Sequence, residues 1–118
     1  LKDLLKTIDS KYQGKTKGIF LPNDTFANIM LNHLIQKYGQ LPDDYKIIGV
    51  DDSPVSSEAI VPISTVGQQI DKIAASAMEI LHEQITERHK RKPALSSEPV
   101  HKIIPPILIN RKTTEPSH

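Results

Sequence analysis

The sequence contains no cysteine and no tryptophan. The first absence removes disulfides, thiolate metal sites and thiol catalysis from these residues, and it accords with a reducing cytosol. The second, with only three tyrosines and two phenylalanines, leaves no aromatic platform on which the bases of a single-stranded nucleic acid could stack. No apolar run approaches the ~18 residues of a membrane span, and the lysine-rich amphipathic start lacks the apolar stretch of a signal peptide. An excess of one charge is missing too. Fifteen Lys and Arg against fourteen Asp and Glu give no broad field for nucleic acid or an anionic membrane, so any DNA-binding element is expected outside these residues. At 118 residues the chain can build one modest core but is short for a two-lobed ligand-binding module, which needs roughly two domains of 100 to 150 residues. It begins at Leu1, and further residues are expected upstream.

What is present alternates between amphipathic and wholly apolar stretches. Leu1, Leu4, Leu5 and Ile8 recur at three and four, predicting a helix over Leu1 to Lys11 that ends by Gly14. The run GIFL at 18–21 reads as a short buried strand. From Asp24 to Tyr38 the residues Phe26, Ala27, Met30, Leu31, Leu34, Ile35 and Tyr38 form a helical stripe, with Asn23 placed to cap it and Gly39 to stop it. A turn follows, then a second buried strand, KIIGV at 46–50, an irregular stretch, and an extended segment at 60–66 that includes Pro62. A long helix is expected from about Gly67 to Arg88, along Ile70, Ile73, Ala74, Ala77, Ile80, Leu81 and Ile85. HKRKPALSSEP is linker-like, and Ile103-Ile104 with Ile107-Leu108-Ile109 reads as a strand broken by two prolines. Apolar strands alternating with amphipathic helices predict an α/β architecture, a parallel sheet covered by helices.

In open parallel sheets ligands bind outside the carboxyl ends of the strands. Both predicted strand ends carry polar groups there: Asn23-Asp24 after GIFL and Asp51-Asp52 after KIIGV. If the strands are neighbours, Asn23 and Asp51 meet at one rim. An amide that donates and accepts, beside an acceptor-only carboxylate, suits a polyol. Other readings stand beside this one: Asn23 as a helix N-cap, Asp51-Asp52 as a solvated turn before Pro54, or the acidic pair as a magnesium site for phosphoryl transfer. The last lacks a lysine or threonine at another clear strand end to complete it. His82 and His89 lie two helical turns apart with no third ligand in view. The basic run Arg88 to Lys92 reads as a solvated helix end, favoured by the helix dipole. No nucleophile elbow, phosphate-cradling glycine loop or paired-histidine motif occurs.

The order of features resembles a known family. FLPND before an amphipathic helix, then GQLPDDYKIIGVDDS, then IVPISTVGQQIDKIAASAMEIL, then ILINRKTT is similar to the last third of LacI/GalR repressors. The likeness runs from about Lys17 to Thr114. Each motif is weak alone, and their joint order is specific. Three departures stand out: Gly39 lies one residue nearer Pro42 than usual, Val50 replaces the commoner aromatic before the acids, and Ser64-Thr65 stands for a threonine pair.

The resemblance implies an incomplete periplasmic-binding-protein-like core of type I. Residues 1–66 would be the later half of the C-terminal lobe, 67–92 a crossover helix to the other lobe, and 93–118 a linker, return strand and tail. By position, Asn23 matches the ligand-contacting asparagine of the family's ND turn, Asp51 the first acid of its D-D pair, and Gln68 its crossover glutamine. Asp24 and Asp52 match structural positions. No site residue is carried over beyond the linker. The implied protein is a cytoplasmic, non-enzymatic repressor without metal or cofactor. It would sense a small effector, a sugar being the first candidate, and bind operator DNA through a domain absent from this chain. It would pair with a second copy through Ala27 to Leu31 and Val55 to Ile60. The alternatives are a sugar-binding protein of a transport system and the magnesium-dependent phosphoryl-transfer domain. The sequence does not name the effector, nor say whether it induces or co-represses.

Overall fold

The computed structural model describes residues 2–89 and 100–115. Leu1, the stretch 90–99 with most of the basic run and the linker, residues 116–118, and the side chain of His89 lie outside the described residues. The chain divides into two compact units, Leu1–Gly67 with Ile107–His118, and Gln68–Pro106.

The first unit is a four-stranded sheet with its helices. Helix α1 (Lys2–Lys11) leads to β1 (Lys17–Phe20), α2 (Asp24–Tyr38), β2 (Tyr45–Val50), the short α3 (Pro54–Glu58) and β3 (Ser64–Gly67); β4 (Ile107–Ile109) closes it, followed by a 3-10 turn at Lys112–Thr114. The spatial order is β1-β2-β3-β4. β1, β2 and β3 are mutually parallel, as the apolar runs predict, while β4 is antiparallel to β3. The expected α/β architecture with a largely parallel sheet holds, and β4 is its antiparallel member. The chain leaves the sheet at the end of β3 and re-enters beside its exit, Gly67 opposite Ile107, so the returning strand must run the other way.

Helix α2 follows its punctuation. Asn23 caps it from an extended backbone, and Gly39, at φ 83°, ends it with its N–H on the Ile35 carbonyl at 2.7 Å, a left-handed cap that glycine adopts without steric cost. Ala27, Met30, Leu31 and Leu34 are buried with Leu5, Leu21, Tyr45, Ile47 and Ile63 to form the core. Three of those α2 residues fall in the stretch expected to meet a second copy. Ala27, Met30 and Leu31 face the core instead, and the exposed apolar residues of that neighbourhood are Phe26, Ile29, Val55 and Ile60, the last 81% exposed.

Other boundaries moved for identifiable reasons. Phe20 is 67% exposed where a buried strand was expected: Gly18 and Phe20 share one face of β1, and both are exposed, while Lys17 on the other face is buried. The stretch after Asp52 is not wholly irregular: Pro54 supplies the preset φ of a helix's first position, and one helical turn forms. Ile103-Ile104 does not join the strand, because Pro105 and Pro106 offer no N–H to a ladder; β4 starts after them.

In the second unit, α4 spans Ile70–His89, starting later than expected because Gly67 belongs to β3. Gln69, at φ 57°, turns the chain into the helix, and its carbonyl accepts the N–H groups of Lys72 and Ile73, both at 3.0 Å. Its side-chain Nε2 donates to the Pro105 carbonyl at 2.7 Å. The apolar stripe of α4 is exposed at Ile70, Ile73, Leu81 and Ile85. Among the described residues no helix is long and apolar enough to cross a membrane.

Candidate functional site

The parallel register decides where the polar strand ends go. The β1–β2 pairing, from Lys17↔Tyr45 to Phe20↔Ile48, is carried one residue further by the Leu21 N–H on the Ile48 carbonyl at 2.9 Å. The β2–β3 pairing is carried past Val50 by the Asp51 N–H on the Val66 carbonyl, also at 2.9 Å. All three parallel strands therefore end at one rim, the side of an open sheet on which loops and helix N-termini converge. Asn23 and Asp51 share that rim.

Asn23 is an N-cap in fact: its Oδ1 accepts the Phe26 N–H at 2.9 Å. Capping engages the side-chain oxygen and leaves the NH2 group, with two donor hydrogens, as the part suited to a ligand. The capping role and a binding role are thus compatible.

Its neighbour Asp24 is 1% exposed and joins the three strand ends. Asp24 Oδ1 accepts from the Thr65 hydroxyl at 2.6 Å, and Oδ2 from the Ser53 amide at 2.7 Å and the Ser53 hydroxyl at 3.0 Å. A buried carboxyl group keeps its place only if its oxygens are well supplied with donors, and these three come from two other segments. The packing is close: a Cβ on Gly49 would lie 2.5 Å from Asp24 Oδ1 and 3.2 Å from the Ala27 Cβ, so glycine at 49 admits Asp24 against the strand.

Asp51 and Asp52 form the turn beyond β2. Both are exposed, and both have positive φ, 114° and 53°, a region that side-chain-bearing residues seldom enter and that clusters at functional sites. The Asp52 amide donates to Thr65 Oγ1 at 3.2 Å, so one hydroxyl serves Asp52 and Asp24 in relay. The Asp52 carboxylate pairs with Arg111 Nη2 at 2.9 Å. A guanidinium thus holds an oxygen that a magnesium site would need. Among the described residues no group of three or more His, Asp or Glu side chains is arranged to hold a metal.

Residues 2–114 match the family described as the periplasmic binding protein-like domain. The chain belongs to this family, as an effector-binding region of LacI type. It is similar to the HTH-type transcriptional repressor PurR of Vibrio campbellii, 30% identical over 82 residues, which make up 70% of this chain and 25% of that protein. It is similar also to the ribose operon repressor of Escherichia coli, 28% identical over 86 residues, 73% of this chain and 26% of the repressor. Among solved structures, a LacI family transcriptional regulator from Lactobacillus casei with bound sucrose aligns with a TM-score of 0.61 at 26% identity, covering 82% of this chain and 33% of that one. The chain spans about a quarter of the length of the curated relatives it matches.

Within this LacI-type region the rim brings together two of the three expected site residues. Gln68, exposed, follows directly on β3 and belongs to the second unit. Asp24 and Asp52 have the structural places the resemblance implies for them. Missing from the sequence reading are Ser53, Thr65 and Arg111 as members of the site. Thr65 and Arg111 stand inside quoted motifs, but nothing in the spacing says that they converge on the aspartates.

The opposite rim has a different character. A cavity of about 560 Å³ lies there, lined by Leu41, Tyr45, Lys46, Ile60, Pro62 and Lys112 among others; it opens where β2 begins, away from Asn23 and Asp51. The shifted titrations are also at that end. Burial pushes the Asp9 carboxyl up, but hydrogen bonds from Lys37, Tyr38 and Tyr45, with the charge of Lys37, outweigh it and hold the group at about 2. Burial, then the Asp9 carboxylate, pushes the Tyr45 hydroxyl above its ordinary value. These groups fasten α1 to α2 and β2.

Proposed function

We propose that this chain is the C-terminal part of the effector-binding core of a cytoplasmic, non-enzymatic transcription repressor, with Asn23 and Asp51 contacting a hydroxyl-rich effector, most simply a sugar. The observation that carries the reading is the pairing of an exposed carboxylate, Asp51, in a left-handed turn with the Asn23 amide at one strand-end rim. The carboxylate accepts hydroxyl protons and the amide NH2 donates to hydroxyl oxygens, the complementarity a polyol requires. The ribose operon repressor and the sucrose-bound regulator among the similar proteins favour the sugar over other effectors.

In this reading residues 1–66 belong to one lobe, 67–92 cross to the other, and 93–118 return, with Gln68 a further effector contact at the crossover. The exposed stripe of α4 would then pack on parts of the effector domain that this chain does not contain. Operator DNA would be bound by a further domain outside the chain. Effector occupancy shifts a two-state equilibrium between lobe arrangements, and operator affinity follows. Two copies would associate through the apolar surface at Ile60, Val55 and the outer face of α2.

Thermal unfolding of the full-length protein against pentoses, hexoses, their phosphates and purines tests the effector class. A ligand that binds only the folded state raises the midpoint by mass action, and one sugar is expected to do so. A purine alone raising it would replace the sugar. Magnesium raising it through Asp51 and Asp52 would favour the phosphoryl-transfer alternative.

A further inference from the structure

Two consecutive aspartates at positive φ persist only where the surroundings over-determine them. On one side Asp24 and Thr65 bind the backbone of the turn. On the other side stands Arg111, just after β4 and 59 residues from its ion-pair partner. Its side chain is four-fifths buried, at 21% exposure, and the guanidinium spreads over three acceptors. Nη1 donates to the Ser56 hydroxyl at 2.9 Å and the Ile63 carbonyl at 3.1 Å, and Nη2 to Asp52 Oδ1 at 2.9 Å. A planar fork satisfied on several sides has little freedom left.

The root of Arg111 is equally fixed. Its own N–H donates to Ser64 Oγ at 2.7 Å. Two residues on, the fully buried Thr113 donates from Oγ1 to the Ile47 carbonyl at 2.7 Å and accepts the Ser64 N–H at 2.8 Å. The closing segment is thereby stitched to β2 and β3, and the side chain it carries reaches back to the turn that presents Asp51.

We propose that Arg111 is a positioning residue for the Asp51–Asp52 turn, so that the segment after the last strand sets effector affinity without touching the effector. The second half of this statement rests on Asp51 being an effector contact. By linkage the coupling is reciprocal: whatever Asp51 holds also steadies the closing segment.

Amide hydrogen exchange on the full-length protein without ligand tests the positioning itself. In Arg111→Gln the amides of Asp51, Asp52 and Ser53 should exchange at least about tenfold faster, while those of Ile47 and Ile48 stay within about twofold of the wild type. Arg111→Lys, which keeps a cation beside Asp52, should recover part of the protection. Asp52→Asn, which leaves Ser56 and Ile63 untouched, should reproduce the local loss even if Arg111→Gln folds poorly. Unchanged exchange at 51–53 in both Arg111→Gln and Asp52→Asn would overturn the proposal, as would a uniform rise across the sheet in both.

Titration with glucose, ribose and sucrose separates this from the reading it rests on. For any of these that binds, Arg111→Gln should weaken affinity about tenfold in the wild-type background and add nothing once Asp51 is alanine, the sign of two residues acting through one contact. Equal losses in both backgrounds would contradict action through Asp51. If Asp51→Ala leaves binding unchanged, or none of the three binds, the sugar-contact reading fails while exchange still decides the role of Arg111.

Discussion

Asp24 and Ser53 are joined by two hydrogen bonds to one carboxylate oxygen, the Ser53 amide at 2.7 Å and its hydroxyl at 3.0 Å. The contact ties the first turn of α2 to the turn beyond β2. With Thr65 on the other oxygen at 2.6 Å, it registers three strand ends against one another, and the rim that carries Asn23 and Asp51 takes its shape from it. Replacing Asp24 by Ala strands the Ser53 amide and the Thr65 hydroxyl, at about 1–3 kcal/mol for each buried group left unpaired. Urea unfolding of the full-length protein is expected to show a loss in that range or above. A loss below about 0.5 kcal/mol, the scale of an ordinary surface substitution, would contradict the assignment.

Gly49→Ala tests the same contact by crowding it. The added methyl would sit 2.5 Å from Asp24 Oδ1 and 3.2 Å from the Asp24 Cα, so helix α2 must move away from β2. Overpacking of this kind costs about 1–3 kcal/mol. Because the displaced group is Asp24, the double variant with Asp24→Ala should lose less than the sum of the two single changes, as neighbours in contact do. Strict additivity would show that the two sites are independent.

Much of this framework can be read from the residue order. Asn23 and Gly39 announce the ends of α2, and the apolar runs place β1 and β2 with their polar ends at one rim. The illegible parts share a physical cause. Arg111 meets partners 48, 55 and 59 residues away, and no local period encodes such a meeting. α3 has five residues, PVSSE, too few to display a helical repeat. The reversed direction of β4 depends on where the chain re-enters the sheet. The exposure of Phe20 depends on what covers its face of β1, which pattern alone does not reveal.

The Asp9 cluster predicts an acid limit to stability. The Asp9 carboxyl is held at about 2 against an ordinary 3.8. A depressed carboxyl contributes stability that is fully present above the unfolded value and is lost as pH falls through the folded one. The melting temperature of Asp9→Asn should therefore lie below that of the wild type above about pH 4, with the gap narrowing between pH 4 and 2. A gap that stays constant from pH 6 to 2 would show that Asp9 gains nothing from Lys37, Tyr38 and Tyr45.

Ile60, at 81% exposure, is the side chain whose burial by a second copy would be simplest to detect. A charge there should weaken self-association of the full-length protein by at least about tenfold, since burying an unpaired carboxylate costs more than the 1.4 kcal/mol that factor represents. Sedimentation equilibrium of Ile60→Asp against the wild type checks it. Identical dissociation constants would move the interface elsewhere.

One substitution addresses the proposed contact between Asp51 and the effector. An exposed carboxylate at the strand-end rim can accept two hydroxyls in charge-assisted bonds, each contributing about 1.5–3 kcal/mol. Effector affinity and operator affinity of Asp51→Ala, measured on one preparation of the full-length protein, should separate. Effector binding is expected to weaken by at least about tenfold, while operator binding without effector stays as in the wild type. Unchanged effector affinity would contradict an effector contact at Asp51.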